Sequence, residues 1–206
     1  MIYTFAELTT IFKDDNWLHR VQLFTSQFEI NIENVVASAN LHQNIDLQSI
    51  ARAFPMVEYK PDQFPGLVYR LKKPNTAVLV FSTGKLIVAG AKSENRAKRA
   101  VFKLVGELRT GGIVILGRPE VTIRNVVASA DLGHRVDLED AATSLEGTIY
   151  EPDQFPGLIY RQKDPKAVIL VFASGKLVCT GASCEVDVDR AVTKLHETLV
   201  MKGLVP

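Results

Sequence analysis

The chain contains the same unit twice. Asn34-Val35-Val36-Ala37-Ser38-Ala39 returns as Asn125-Val126-Val127-Ala128-Ser129-Ala130. Pro61-Asp62-Gln63-Phe64-Pro65-Gly66-Leu67 returns as Pro152-Asp153-Gln154-Phe155-Pro156-Gly157-Leu158, and Phe81-Ser82-Thr83-Gly84-Lys85-Leu86 as Phe172-Ala173-Ser174-Gly175-Lys176-Leu177. Every pair lies 91 residues apart, without a gap from Asn34/Asn125 to Gly112/Gly203, and about half of the aligned positions are identical. Two long units fit neither a solenoid nor a propeller, which stack three or more short repeats. They suggest two similar bodies around a pseudo-two-fold axis. The expected divisions are an extension over 1–28, a first repeat over 29–112, a connector over 113–121 and a second repeat over 122–206. The connector is too short to separate the repeats, so one continuous body is expected. The extension reads as two short helices, with capping-box spacing at Thr4 and Glu7 and a second start at Asp14 or Asp15 leading through Trp17 and Val21.

Composition excludes several classes. The 206 residues are 47% apolar and 23% charged, with mean hydropathy +0.08, as in a soluble globular chain, and no apolar run approaches the roughly 20 residues of a membrane span. A signal peptide is not expected, because no basic segment precedes an apolar one at the start. Cys179 and Cys184 are too few for a disulfide framework and lack CxxC spacing. Together these point to a reducing, cytoplasmic setting. Catalysis is poorly supported. His19, His42, His134 and His196 have no metal-ligand spacing, and neither a nucleophile elbow nor a Walker loop is present. Asp62 and Asp153 read as turn residues. No enzyme activity, metal or cofactor is expected.

Each unit has the same grammar. Glu29 to Leu41 reads as a strand, and Asp46 caps a short helix through Leu47, Ile50, Ala51 and Phe54. Val57 to Lys60 is extended, Gly66 to Leu71 and Ala77 to Phe81 are strands, and a Thr83-Gly84 turn leads into Lys85 to Ala91. A long helix from Ser93 carries apolar residues at Ala97, Ala100, Val101, Leu104, Val105 and Leu108 until Gly111-Gly112 stops it. The order strand, short helix, four strands, long helix occurs twice. Short connections favour an antiparallel sheet with the helices on one side, giving an α+β fold.

Both faces of that sheet are apolar. In Val168-Ile169-Leu170-Val171-Phe172 every side chain is apolar, yet two helices per unit cover only one face, so the other needs a partner. Val36, Leu79, Phe81 and Ile87 share its parity, as do Val127, Leu170, Phe172 and Val178. Two arrangements satisfy this pattern: a sandwich of the two units, sheet on sheet, or an open binding face. Asn34, Ser38, Asn125, Ser129 and Thr180 fall on the same parity and argue against complete burial.

These motifs resemble the TATA-box-binding protein family. The resemblance runs from Ile30 to about Leu204 and rests on Asn-Val-Val-Ala-Ser, Pro-Asp-Gln-Phe-Pro-Gly-Leu-(Val/Ile)-Tyr-Arg and Phe-x-(Thr/Ser)-Gly-Lys-Leu, each present in both copies. Both copies keep Phe-Pro-Gly-Leu, where the first copy of eukaryotic members diverges, so the resemblance is to archaeal members. It implies a saddle-shaped antiparallel sheet with helices on the convex face. It also implies a general transcription initiation factor that binds the minor groove of double-stranded TATA promoter DNA and bends it as a monomer. Such a factor recruits transcription factor B and, indirectly, RNA polymerase.

Carried over by position, Phe64 with Phe81 and Phe155 with Phe172 are the intercalating pairs. Asn34, Val36, Leu79, Ile87, Asn125, Val127, Leu170, Val178 and Thr180 would line the minor groove. Arg70, Thr83, Lys85, Arg161, Ser174 and Lys176 would reach phosphate, and Glu151, Asp153 and Gln154 would receive transcription factor B. On residues alone, core packing is the simpler reading for Phe81 and Phe172, less so for Phe64 and Phe155 in their Pro-rich loops. Two departures stand out: Ala89 where the second copy has Thr180, and Ser183 where the first copy has Lys92. Cys179 has the parity of a core residue facing the helices.

The near-neutral total conceals a division of charge. Residues 31–112 hold 12 Lys and Arg against 6 Asp and Glu, while 122–203 hold 9 against 12. Arg96, Lys98, Arg99 and Lys103 supply part of the excess on the first long helix, whose counterpart carries Asp187 and Asp189 instead. These charges are either a solvated helix face or a sign that the halves meet different partners, the basic helix meeting DNA flanks or an acidic factor. Lys60 opposite Glu151 reverses charge at the docking loop and would bias docking to one end. Two other functions fit the fold: a diverged paralogue acting through protein contacts alone, and a helix-on-sheet module enclosing an apolar small molecule.

Overall fold

The computed structural model describes residues 29–206, so the two helices expected before Val21 lie outside the described residues. The first repeat comprises β1 (Ile30–Asn40), α1 (Leu47–Ala53), β2 (Glu58–Tyr59), β3 (Gly66–Lys72), β4 (Asn75–Phe81), β5 (Lys85–Ala91) and α2 (Glu94–Thr110). The second comprises β6 (Glu120–Asp131), α3 (Leu138–Ser144), β7 (Thr148–Ile149), β8 (Gly157–Gln162), β9 (Ala167–Phe172), β10 (Lys176–Ala182) and α4 (Glu185–Met201). β6 starts inside the span read as connector, because Glu120 and Val121 pair with Asn40 and Ala39 of β1.

All ten strands form one antiparallel sheet in the order β2-β3-β4-β5-β1-β6-β10-β9-β8-β7. The repeats meet edge to edge, β1 on β6, along a ladder from Ile30/Ala130 to Asn40/Glu120. This removes the sandwich arrangement: joining the sheets at their edges satisfies two rows of backbone groups and, among the described residues, leaves one broad face without helices.

Alternation within each strand sorts the side chains. Val35, Ala37 and Ala39 of β1, Val78 and Val80 of β4, and Leu86 and Val88 of β5 are buried beneath the helices. Their second-repeat counterparts, including Val126, Ile169, Val171, Leu177 and Cys179, are buried likewise. Burial pushes the Cys179 thiol up to about 11, in keeping with a core residue. The apolar stripe of α2 (Ala97, Ala100, Val101, Leu104, Val105, Leu108) and that of α4 (Val188, Ala191, Val192, Leu195, Leu199) close the core.

The long helices start against one another at the pseudo-dyad. Glu94 N–H donates to Glu185 Oε1 at 2.6 Å, and Glu185 N–H donates to Glu94 Oε1 at 2.8 Å. Each carboxylate thus satisfies an orphan N–H at the positive end of the other helix. The caps differ: Ser93 Oγ accepts from Arg96 N–H, whereas Cys184 makes no side-chain cap bond. Asp46 caps α1, as the sequence predicts, and Asp137 caps α3 at the equivalent position. Among the described residues no helix is long and apolar enough to cross a membrane.

Candidate nucleic-acid interface

The helix-free face is where the sequence-predicted site residues gather. Val36, Leu79, Val127, Leu170 and Val178 are half-buried, and Ile87 is exposed, each alternating with a buried neighbour beneath the helices. They form a continuous apolar surface across β4, β5, β1, β6, β10 and β9. At each end stands a pair of aromatic rings. Phe64 and Phe81 meet edge to face, with centroids 5.9 Å apart and planes at 65°; Phe155 and Phe172 meet at 5.9 Å and 64°. Phe81 and Phe172 are only half-buried; they are not core residues.

The loop before β3 and its counterpart before β8 build these pairs in the same way. Gln63 and Phe64 N–H groups both donate to the Lys60 carbonyl at 2.9 Å, and Gln154 and Phe155 donate to that of Glu151 at 2.9 Å. The tight turn swings each Phe back over the first residue of the next strand. That residue is glycine for lack of room. A Cβ on Gly66 would lie 2.6 Å from Phe64 Cε1, and one on Gly157 would lie 2.8 Å from Phe155 Cε1.

Asn34 and Asn125 sit between the ring pairs on the two central strands. Asn34 Oδ1 accepts from Gly90 N–H at 2.7 Å, and Asn125 Oδ1 accepts from Gly181 N–H at 2.7 Å. These backbone donors fix the orientation of each amide, with its oxygen on the neighbouring strand and its Nδ2 hydrogens as the donors to a ligand. Thr180 Oγ1 lies 3.2 Å from Asn125 Nδ2; Ala89 supplies no such partner in the first repeat. Among the described residues, the Asn34 amide hydrogens have no protein acceptor.

The polar residues read as phosphate contacts are exposed around this surface. Lys85 and Lys176 open β5 and β10, and Thr83 and Ser174 occupy the turns before them. Arg70 and Arg161 are exposed on β3 and β8, with one difference. Arg70 Nε donates to Glu58 Oε1 at 3.0 Å, while the position matching Glu58 is Ile149. Glu151, Asp153 and Gln154 are exposed on the loop that carries Phe155. Two further residues on the open face escape the sequence reading. Arg124 Nε donates to Ser38 Oγ at 2.7 Å, and Ser129 Oγ donates to Glu33 Oε1 at 2.8 Å. The signal was present as an opposite-charge pair 91 residues apart, but ordinary strand alternation turns both away from this face.

With two ring pairs, two oriented amides and one apolar face established, comparison with known proteins decides the family. The model of the family described as transcription factor TFIID, or TATA-binding protein, matches residues 29–111 and 120–201. The chain belongs to the TATA-binding protein family.

The archaeal relatives support the same assignment. A TATA-box-binding protein of Pyrodictium occultum is 53% identical over 169 residues, covering 82% of this chain and 85% of the relative. That of Methanocaldococcus jannaschii is 49% identical over 171 residues, covering 83% and 93%. The solved structure of Methanococcus jannaschii TBP superposes with a TM-score of 0.77 at 48% identity, covering 84% of this chain and 99% of that one. The TATA-binding protein family is one of transcription factors rather than enzymes, and its ten-stranded saddle is the fold seen here.

Proposed function

We propose that the chain is a general transcription initiation factor that binds promoter DNA through the minor groove of a TATA element. The observation that supports this best is the placement of two oriented amides between two aromatic pairs on one open apolar face. In the minor groove, A·T and T·A pairs show only acceptors, while G·C adds the guanine amino donor. Asn34 and Asn125 donate to those acceptors. A guanine amino group pressed against Val36, Val127, Leu79 or Leu170 finds no acceptor and costs about 1–3 kcal/mol. The face therefore selects A·T without reading individual bases.

Phe64 with Phe81 and Phe155 with Phe172 act as wedges at the two ends of the site, opening one base step each. Bending by inserted apolar wedges is established behaviour of this family and is carried over here from it. Lys85, Lys176, Arg161, Thr83 and Ser174 hold the backbone in register, and Arg70 joins them once released from Glu58. The complex, one protein molecule on one duplex, then presents the Glu151-Asp153-Gln154 loop to transcription factor B, which brings RNA polymerase. The matching loop opens with Lys60 beside Asp62, so among the described residues its charges cancel, where Glu151 and Asp153 add.

Inosine substitution tests groove choice directly. An I·C pair lacks the minor-groove amino group yet resembles G·C in the major groove. A TATA duplex with A·T replaced by I·C should compete within about threefold of the original, while the G·C version fails. Equal failure of the I·C and G·C duplexes would move recognition to the major groove and overturn the proposal.

A further inference from the structure

The two halves of the open face match where they are apolar and differ where they carry charge. Glu33 and Arg124 occupy equivalent positions, immediately before Asn34 and Asn125. Each sits at a break in the β1–β6 ladder: register steps from Ile32/Ala128 to Asn34/Val127 at Glu33, and from Val36/Asn125 to Ala37/Ile123 at Arg124. An extra residue in an antiparallel pair leaves the alternation and re-aims its side chain. Both side chains consequently reach the serines of the open face, Arg124 to Ser38 and Glu33 to Ser129. The hydrogen bonds correspond, and the charges are opposite.

The surroundings reinforce the difference. Glu33 Oε2 also meets Lys92 Nζ at 2.8 Å. The bonds from Lys92 and then Ser129 hold its carboxyl below the usual carboxylate range. Among the described residues no carboxylate lies within ion-pair distance of Arg124. Arg124 lines a groove with Asn40, Phe81 and Lys85. The matching groove beside Phe172 contains Lys176, but Asp131 replaces Asn40. Glu120 in the first groove and Glu29 in the second occupy equivalent positions and cancel in the comparison. The half carrying Phe64 and Phe81 has a net positive edge; the half carrying Phe155 and Phe172 has a net negative one, even with Lys92 counted.

We propose that Arg124 and Glu33 determine which way round the protein sits on an asymmetric A·T-rich site, with the Arg124 half over the narrower, more negative stretch of minor groove. The inference rests on the minor-groove reading above. Without this pair, Asn34/Asn125, Val36/Val127, Leu79/Leu170 and the wedges offer nearly equal contacts in both orientations. Narrow A-tract grooves concentrate negative potential and attract arginine, and the same potential repels a carboxylate. Arg124 therefore gains, and Glu33 loses least, in one orientation only.

Single-molecule energy transfer reads the orientation. A donor is attached at Glu146→Cys, exposed in the second repeat, with Cys184→Ser removing the competing thiol. The acceptor is placed at one end of a duplex with an A-tract in one half and alternating T·A steps in the other. The expected result is about a threefold excess of the orientation placing Arg124 over the A-tract, the scale of exposed charge contacts. The double variant E33Q/R124Q should populate both orientations about equally, and E33R/R124E should reverse the excess. An unbiased native complex, or a bias kept in E33Q/R124Q, would overturn this inference and leave minor-groove binding standing. Failure of the native protein to bind the duplex would overturn the minor-groove reading itself, and this inference with it.

Discussion

Replacing Gly157 by alanine separates a ring pair that wedges DNA from one that packs a core. The new Cβ would lie 2.8 Å from Phe155 Cε1 and 3.1 Å from Phe172 Cε1. Carbon atoms settle at about 3.5–4.0 Å, so the Phe155 ring must retreat by roughly 0.7 Å or more. It can, because the contacted atom is the tip of a side chain on an exposed loop and not backbone. Gly157 does not use the left-handed φ region, so alanine adds no backbone strain there. Gly157 is buried, but only a ring tip has to yield, so folding stability should fall by about 1 kcal/mol, the low end of the cost of overpacking.

Binding should suffer more. An edge-to-face ring pair is worth about 0.5–1.5 kcal/mol, and the same pair must support an unstacked base step. A loss of about 1–2 kcal/mol follows, roughly 5- to 30-fold in affinity, with a smaller bend at one end. Urea unfolding reads the first quantity, and titration of an end-labelled duplex reads the other two. Gly66→Ala gives the matching test at the other end. A stability loss above about 2 kcal/mol with affinity and bend unchanged would refute the reasoning and make the rings core residues.

Three further expectations follow from differences between the repeats. Gln162 is buried at the position of Leu71; among the described residues its Oε1 has no hydrogen-bond partner, while its Nε2 donates to the Asp164 carbonyl at 3.3 Å. Gln162→Leu should stabilise the fold by about 1 kcal/mol in urea unfolding, and destabilisation would show that the bond to Asp164 matters more. Cys184→Ser should supply the N-cap bond that Ser93 makes in α2 and add about 0.5–1 kcal/mol, seen as a raised unfolding midpoint; no change would mean that the Glu94–Glu185 exchange already satisfies this helix end. Glu151→Arg should weaken the ternary complex with transcription factor B about tenfold or more while leaving binary DNA affinity within about twofold. Equal loss of both would remove this loop from docking.

Much of the fold was legible because the repeat displays each element twice. Asp46 and Asp137, the stripe from Ala97 to Leu108, and the Gly84 and Gly175 turns all mark elements found in the structure. What pattern alone left open was how the units meet. Alternating apolar residues in β4 and β9 suit a sandwich as well as an open sheet, and only the pairing of β1 with β6 separates them. The polar residues Asn34, Ser38, Asn125 and Ser129 pointed towards the open arrangement, because burying them sheet on sheet would strand their hydrogen bonds.

The site was less legible for a different reason. The ring pairs depend on a long-range approach between the loop before β3 and the end of β4, which no local periodicity encodes. The family resemblance supplied their pairing, and the crowding at Gly66 and Gly157 gives its physical basis. Glu33 and Arg124 were missed because a bulge breaks the period-two rule that sequence reading relies on. The tie between Arg70 and Glu58 was missed because β2 is only two residues long and gives almost no pattern.

The most direct test of minor-groove wedging is the end-to-end distance of labelled DNA measured by energy transfer. An A·T-rich TATA duplex and a scrambled G·C-rich duplex are compared at low and moderate salt, with the native protein and with Phe155→Ala. A bend confined to the TATA duplex, surviving moderate salt and reduced by Phe155→Ala, is the expected result. Binding that appears only at low salt, equally on both duplexes and without a bend, would reduce the interaction to phosphate attraction and contradict the function proposed here.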